Sequence, residues 1–129
     1  MTKETSLNHV GLQCSERKKA EIFFTKVLQI PKIRTFEVSE ELSKAIFGIK
    51  NSVEIDVYDN GKTKFEVFIT KKMKDFFYEH VCLEVDNKKE FIKRCKKYGI
   101  EPLLVRKEGK DLLFVRDFSD NLYEIKEKQ

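Results

Sequence analysis

The stretch 8–13 reads NHVGLQ, and the stretch 79–84 reads EHVCLE. The chain's only two histidines, His9 and His80, occupy the same place in these two copies. Each copy alternates as a half-buried strand does. Val10 and Leu12 fall on one face and His9, Gly11 and Gln13 on the other; Val81, Leu83 and Val85 oppose His80, Cys82 and Glu84.

Outward from these strands the chain repeats a longer unit. After the first strand, Ser15 is placed to cap a helix in which Ala20, Phe23, Phe24, Val27 and Leu28 form the apolar stripe of a helix lying on a sheet. Ile30-Pro31 ends it. After the second strand, Asp86 is the expected cap. Phe91, Ile92, Cys95 and Tyr98 form the stripe, and Gly99 supplies a left-handed end. Strand-like segments follow at 103–106, 111–116 and 121–126, with turns at Glu108-Gly109 and 118–120. In the first unit a strand at 33–38 leads into an inserted helix, 39–49, with Ser39 as cap and Leu42, Ala45, Ile46 and Ile49 at helical spacing. A hairpin, SVEIDVY-DNG-KTKFEVFIT, completes it. The spacing predicts an α+β fold of two tandem β-α-β-β-β modules, about 7–70 and 78–127, within one domain spanning 1–129.

The hairpin's register decides which polar residues face the helix. A two-residue loop at Asn60-Gly61 would set Ile55 against Glu66 and mix apolar with charged residues on each face. A three-residue loop, Asp59-Asn60-Gly61, pairs Ile55 with Phe65 and Val53 with Val67, and is the register expected. It puts Glu54, Asp56, Glu66 and Phe68 on the face away from the helix.

Four polar residues interrupt apolar strands in matching ways: His9, Glu66 between Phe65 and Val67, His80, and Glu124 between Tyr123 and Ile125. A lone strand histidine is more often a surface residue, so the repetition carries the weight here. Two imidazoles and two carboxylates, without thiolate, suit a divalent ion such as Ni, Co, Fe, Mn or Zn. Glu54 stays open as an alternative to Glu66: it follows His9 by 45 residues, against 44 from His80 to Glu124. KFEVFI is the better Glu-bearing strand.

Composition sets the rest. The chain has 129 residues, 40% hydrophobic and 37% charged, with a net charge of +4. The lysines are dispersed, as on solvated faces, rather than gathered with aromatics into a nucleic-acid stripe. The three cysteines form neither a disulfide framework nor a zinc knuckle. Cys14 and Cys95 read as core, Cys82 as a neighbour of His80. No apolar run reaches the length of a membrane span and the N-terminus lacks a signal-peptide pattern, so no membrane partner and a cytoplasmic location are expected.

The pattern HVGLQCSERKKAEIFFTKVLQI, KFEVFI, HVCLEV and FVRDFSDNLYEI resembles the vicinal oxygen chelate superfamily: glyoxalase I, methylmalonyl-CoA epimerase, extradiol dioxygenases and drug-resistance proteins. The resemblance covers roughly 7–127. It implies a curved mixed sheet around a central cleft, helices on the outer face, and a metal held by His9, Glu66, His80 and Glu124. It further implies Glu124, with Glu66 opposite, as the general base of a metal-dependent lyase or isomerase. The substrate implied is a small α-oxo compound or its thiol adduct, as in the short bacterial nickel- or cobalt-using glyoxalases. Gln13, Glu54, Phe68 and Cys82, with the inserted helix and the 71–78 linker, would shape the substrate pocket. Short members resemble homodimers.

Glutathione fits less well, because Gln13 and Thr70 stand where glutathione-contacting relatives carry Arg and Asn. The absence of a third histidine argues against the dioxygenase branch. A non-catalytic small-molecule (drug or antibiotic) binding protein of the same fold, or an epimerase of the methylmalonyl-CoA type, is the alternative.

Overall fold

The computed structural model describes residues 6–71 and 78–129; most of the 71–78 linker therefore lies outside the described residues. Strand β1 (Val10–Cys14) leads into helix α1 (Arg17–Glu21), which continues as a wider π-helical stretch, Ile22–Val27. The widened turn is visible in Leu28 N–H donating to Phe23 O at 2.9 Å. Strand β2 (Lys32–Val38), helix α2 (Glu40–Phe47), and strands β3 (Val53–Asp59) and β4 (Lys64–Ile69) complete the first unit. The second runs β5 (Val81–Val85), α3 (Lys88–Lys97), β6 (Leu103–Lys107), β7 (Lys110–Arg116) and β8 (Leu122–Glu127).

Each unit forms its own four-stranded mixed sheet, ordered β1-β4-β3-β2 and β5-β8-β7-β6. The first strand of each unit runs parallel to its last, and the remaining pairs are antiparallel. The α+β fold expected from the repeat is thus present, with the sheet divided into two halves of identical order.

The helix-facing sides of both sheets share one core. The Phe24 ring stacks on Tyr58 at 4.7 Å and Phe23 meets Tyr123 at 4.9 Å, with Phe91 and Cys95 of α3 in the same cluster. Aromatic pairs of this kind add roughly 0.5–1.5 kcal/mol each beyond their buried area. A polar knot ties the units together at the β7–β8 turn. Asp117 accepts from Tyr123 Oη at 2.8 Å and from Asn121 Nδ2 at 2.9 Å, and Asn121 Nδ2 also donates to Gln13 O at 3.0 Å. Cys14 and Cys95 are buried, as their positions suggest.

Several local expectations are corrected. The N-cap of α1 is Glu16 rather than Ser15, and it makes no side-chain cap bond. Asn87, not Asp86, caps α3 by accepting from Glu90 N–H at 3.0 Å. Ser39 caps α2 as expected, and the apolar residues at helical spacing lie outward: Ser43 is buried while Leu42, Ile46 and Ile49 are exposed.

The hairpin register also differs. Tyr58 opposes Phe65 and Val57 opposes Glu66, with Asp59 and Lys64 closing a four-residue loop. Asn60 Oδ1 builds that loop by accepting from the backbone N–H groups of Lys62 and Thr63. The shift sends Glu54 and Asp56 to the helix side, where Arg17 meets both. Ile55 and Val57 take the opposite face with Glu66 and Phe68.

Candidate functional site

His9 immediately precedes β1, and its Nε2 lies 3.3 Å from Glu66 Oε1 on β4. His80 immediately precedes β5, and its Nε2 lies 3.7 Å from Glu124 Oε1 on β8. The register explains the likeness. In the parallel pair β1–β4 Gly11 is the partner of Glu66, and in β5–β8 Cys82 is the partner of Glu124. Each histidine therefore stands two residues before the strand partner of its glutamate, on the same face. The repeated unit builds the same imidazole–carboxylate pair twice.

Each imidazole is held through its other nitrogen. His9 Nδ1 lies 2.7 Å from Asn8 Oδ1, and His80 Nδ1 lies 3.0 Å from the Tyr78 carbonyl. In the tautomer in which Nδ1 donates to these oxygens, Nε2 turns its lone pair toward the glutamate. An acceptor facing a carboxylate calls for a cation between them. A proton supplies it in the imidazolium, and a divalent metal supplies it in a ligand site whose histidines are oriented through the other ring nitrogen. The donor set thus fits a divalent ion. The side chains are 38% and 41% exposed for His9 and His80 and 16% and 19% for Glu66 and Glu124. The imidazoles are consequently open to further ligands.

The two pairs remain two halves. Among the described residues, no three His, Cys, Asp or Glu side chains come together as a metal-holding group within one chain. Glu54, the sequence alternative to Glu66 and an expected pocket residue, lies on the other face of the sheet, 3.3 Å from Arg17. It belongs to an ion network with Asp56 and Lys32 rather than to the site.

The other pocket residues behave differently from one another. Gln13 and Phe68 line a cavity of about 270 Å³ beside the His9–Glu66 pair, together with Ser43 and Phe47 of α2. Thr70 lines it too, so both positions that depart from the glutathione-contacting pattern open onto the same space. Cys82 is exposed on the His80 face, and burial, followed by the Glu124 charge, pushes its thiol above its ordinary value. Ser43, Asn51 and Ser52 are lining residues that residue patterns did not single out. Gly11, a glycine within a strand, was the available signal of a close approach there.

No protein-family model matches the sequence, and no curated protein matches it either. Solved structures do resemble it. A glyoxalase family protein from Bacillus cereus superposes with a TM-score of 0.75 at 21% identity, covering 98% of this chain and 95% of that one. The fosfomycin resistance protein FosX from Listeria monocytogenes gives 0.74 at 13%, covering 98% and 96%. The chain has the vicinal oxygen chelate fold. A mutant of the Listeria protein, complexed with Mn(II) and 1S,2S-dihydroxypropylphosphonic acid, superposes on this fold with a TM-score of 0.71 at 15% identity, covering 96% and 90%. No helix among the described residues is long and apolar enough to cross a membrane.

Proposed function

We propose that this protein is a divalent-metal-dependent enzyme of the glyoxalase type, moving a proton at the carbon next to a carbonyl of a small α-oxo substrate or its thiol adduct. The observation that carries the reading is the duplicated pair: His9 with Glu66 and His80 with Glu124, in one register on equivalent strands. These four side chains would hold the metal. Since one chain keeps them as two halves, the complete set is proposed to form between two copies of the chain related by a two-fold axis. Bound there, a divalent ion supplies Lewis acidity that offsets negative charge developing on a substrate oxygen.

The chain's own residues supply the rest. Glu124 Oε accepts the proton from the substrate carbon and returns it, with Glu66 on the opposite side as the second carboxylate. The Nδ1 contacts of both imidazoles keep the rings from turning as the carboxylates move protons. Phe114, paired across the strands with Glu124, and Val57, paired with Glu66, give each carboxylate an apolar neighbour that limits water.

The test is hydrogen exchange in D2O, followed by NMR, with protein loaded with Mn²⁺ or Ni²⁺ and the thiol adduct of a small α-oxoaldehyde. Deuterium is expected at the carbon next to the carbonyl, reduced by about 10²-fold or more in Glu124→Gln. Unchanged exchange in that variant moves the base elsewhere. Consumption of fosfomycin without any exchange would replace proton transfer by epoxide opening.

A further inference from the structure

The cavity beside the His9–Glu66 pair lies between β1, the end of β4 and α2, and no charged residue among those described lines it. Gly11 and Phe68 are among its lining residues. A Cβ at Gly11 would come within 3.3 Å of the Phe68 ring, a tight contact that the bare glycine avoids. Phe47 of α2 meets Phe68 edge-on, with centroids 5.3 Å apart and planes at 82°. Val53 extends the apolar wall, and the polar groups present are hydroxyls and amides, such as Ser43 and Gln13. The cavity adjoins the strands that carry the pair: its lining residue Gly11 is the strand partner of Glu66, and its lining residues Gln13 and Phe68 are partners of one another.

We infer that this cavity receives one compact, uncharged apolar substituent of the substrate, an aromatic ring or a short branched chain. That the substituent belongs to a molecule held at the His–Glu pairs rests on the function proposed above; the preference itself rests on the cavity alone. Size argues first: about 270 Å³ is at the small end of ligand cavities. It suits a single ring rather than a tripeptide thiol. Charge argues second, since a carboxylate or phosphonate placed there would lose water with no lining cation to pair with it. Lining argues third, as Phe47, Ile49, Val53 and Phe68 give the cavity an aromatic and aliphatic wall. The substrate end that enters here is therefore neutral, and any anionic group lies at the other end.

The test begins with metal-free, ¹⁵N-labelled protein titrated separately with benzyl alcohol and with benzoate. Benzyl alcohol is expected to shift the amides of Gly11, Val53 and Phe68 and to bind about tenfold more tightly than benzoate. Phe47→Ala should remove the preference, whereas Glu54→Ala, on the opposite face, should keep it. Equal or tighter binding of benzoate, or shifts confined to other residues, overturns the inference. A second titration adds Mn²⁺ and compares benzohydroxamate with acetohydroxamate. The phenyl group should again be worth about tenfold. Equal affinities overturn the link between cavity and site. If acetohydroxamate shows no Mn²⁺-dependent binding, the metal reading has failed, and the first titration still decides the cavity's preference.

Discussion

Asp56 is fully buried, yet it sits in the middle of a strand whose neighbours Ile55 and Val57 are also buried. Burial alone would raise its pKa. The Thr35 hydroxyl at 2.7 Å, the Arg17 guanidinium at 2.9 Å and the Lys32 ammonium at 3.5 Å more than offset this, and hold it below the ordinary carboxylate value. A depressed pKa stabilises the fold above the unfolded-state value of about 3.9, and the benefit is lost as pH falls through the folded-state value. Denaturant unfolding followed from pH 7 to pH 2 should therefore show stability dropping below about pH 4. Asp56→Asn should flatten that limb and cost about 2 kcal/mol at pH 7, because it leaves Arg17 partly buried without its main partner. Parallel pH curves for the two proteins would exclude Asp56 as the acid-sensitive group.

The same residue explains why strands were easier to read from sequence than their pairing. Alternation located β1, β5 and β8 because each has one apolar face, and the NHVGLQ–EHVCLE echo located both histidines and the repeat. The β3–β4 register did not follow from alternation, since that rule assigns buried faces to apolar residues. Here Arg17, Thr35 and Lys32 satisfy a buried carboxylate, and both faces of β3 are covered. Helix α2 was placed correctly by its Ser39 cap, but which of its faces packs inward was not legible. Its apolar stripe, Leu42 and Ile46, faces outward, and nothing in the helix's own sequence says which neighbour it packs against. The capping shift from Asp86 to Asn87 is the one-residue ambiguity of two adjacent cap-forming side chains. At this scale the register makes a direct prediction. In calorimetric titration with Mn²⁺, Glu54→Ala should keep wild-type affinity, whereas Glu66→Ala should lose at least about tenfold. The reverse order would make Glu54 the ligand and contradict the observed register.

For the whole molecule, the central feature is that duplication makes two imidazole–carboxylate pairs which, among the described residues, do not join into one metal-holding group within a chain. The sequence grouped His9, Glu66, His80 and Glu124 as a candidate set, because matching residue types recur on matching strands. Where the halves meet was not legible, because it depends on how one module sits against another, and no pattern along a strand encodes that. Mixing two defective variants and counting bound Mn²⁺ tests this account most directly. His9→Ala and His80→Ala should each bind no ion alone. Unfolded together and refolded, half of the dimers are mixed and each mixed dimer regains one intact set, so about a quarter of wild-type binding should return. Failure of the mixture to bind Mn²⁺ while the wild type does, or retention of Mn²⁺ by either variant alone, would contradict a site built from both pairs across two chains.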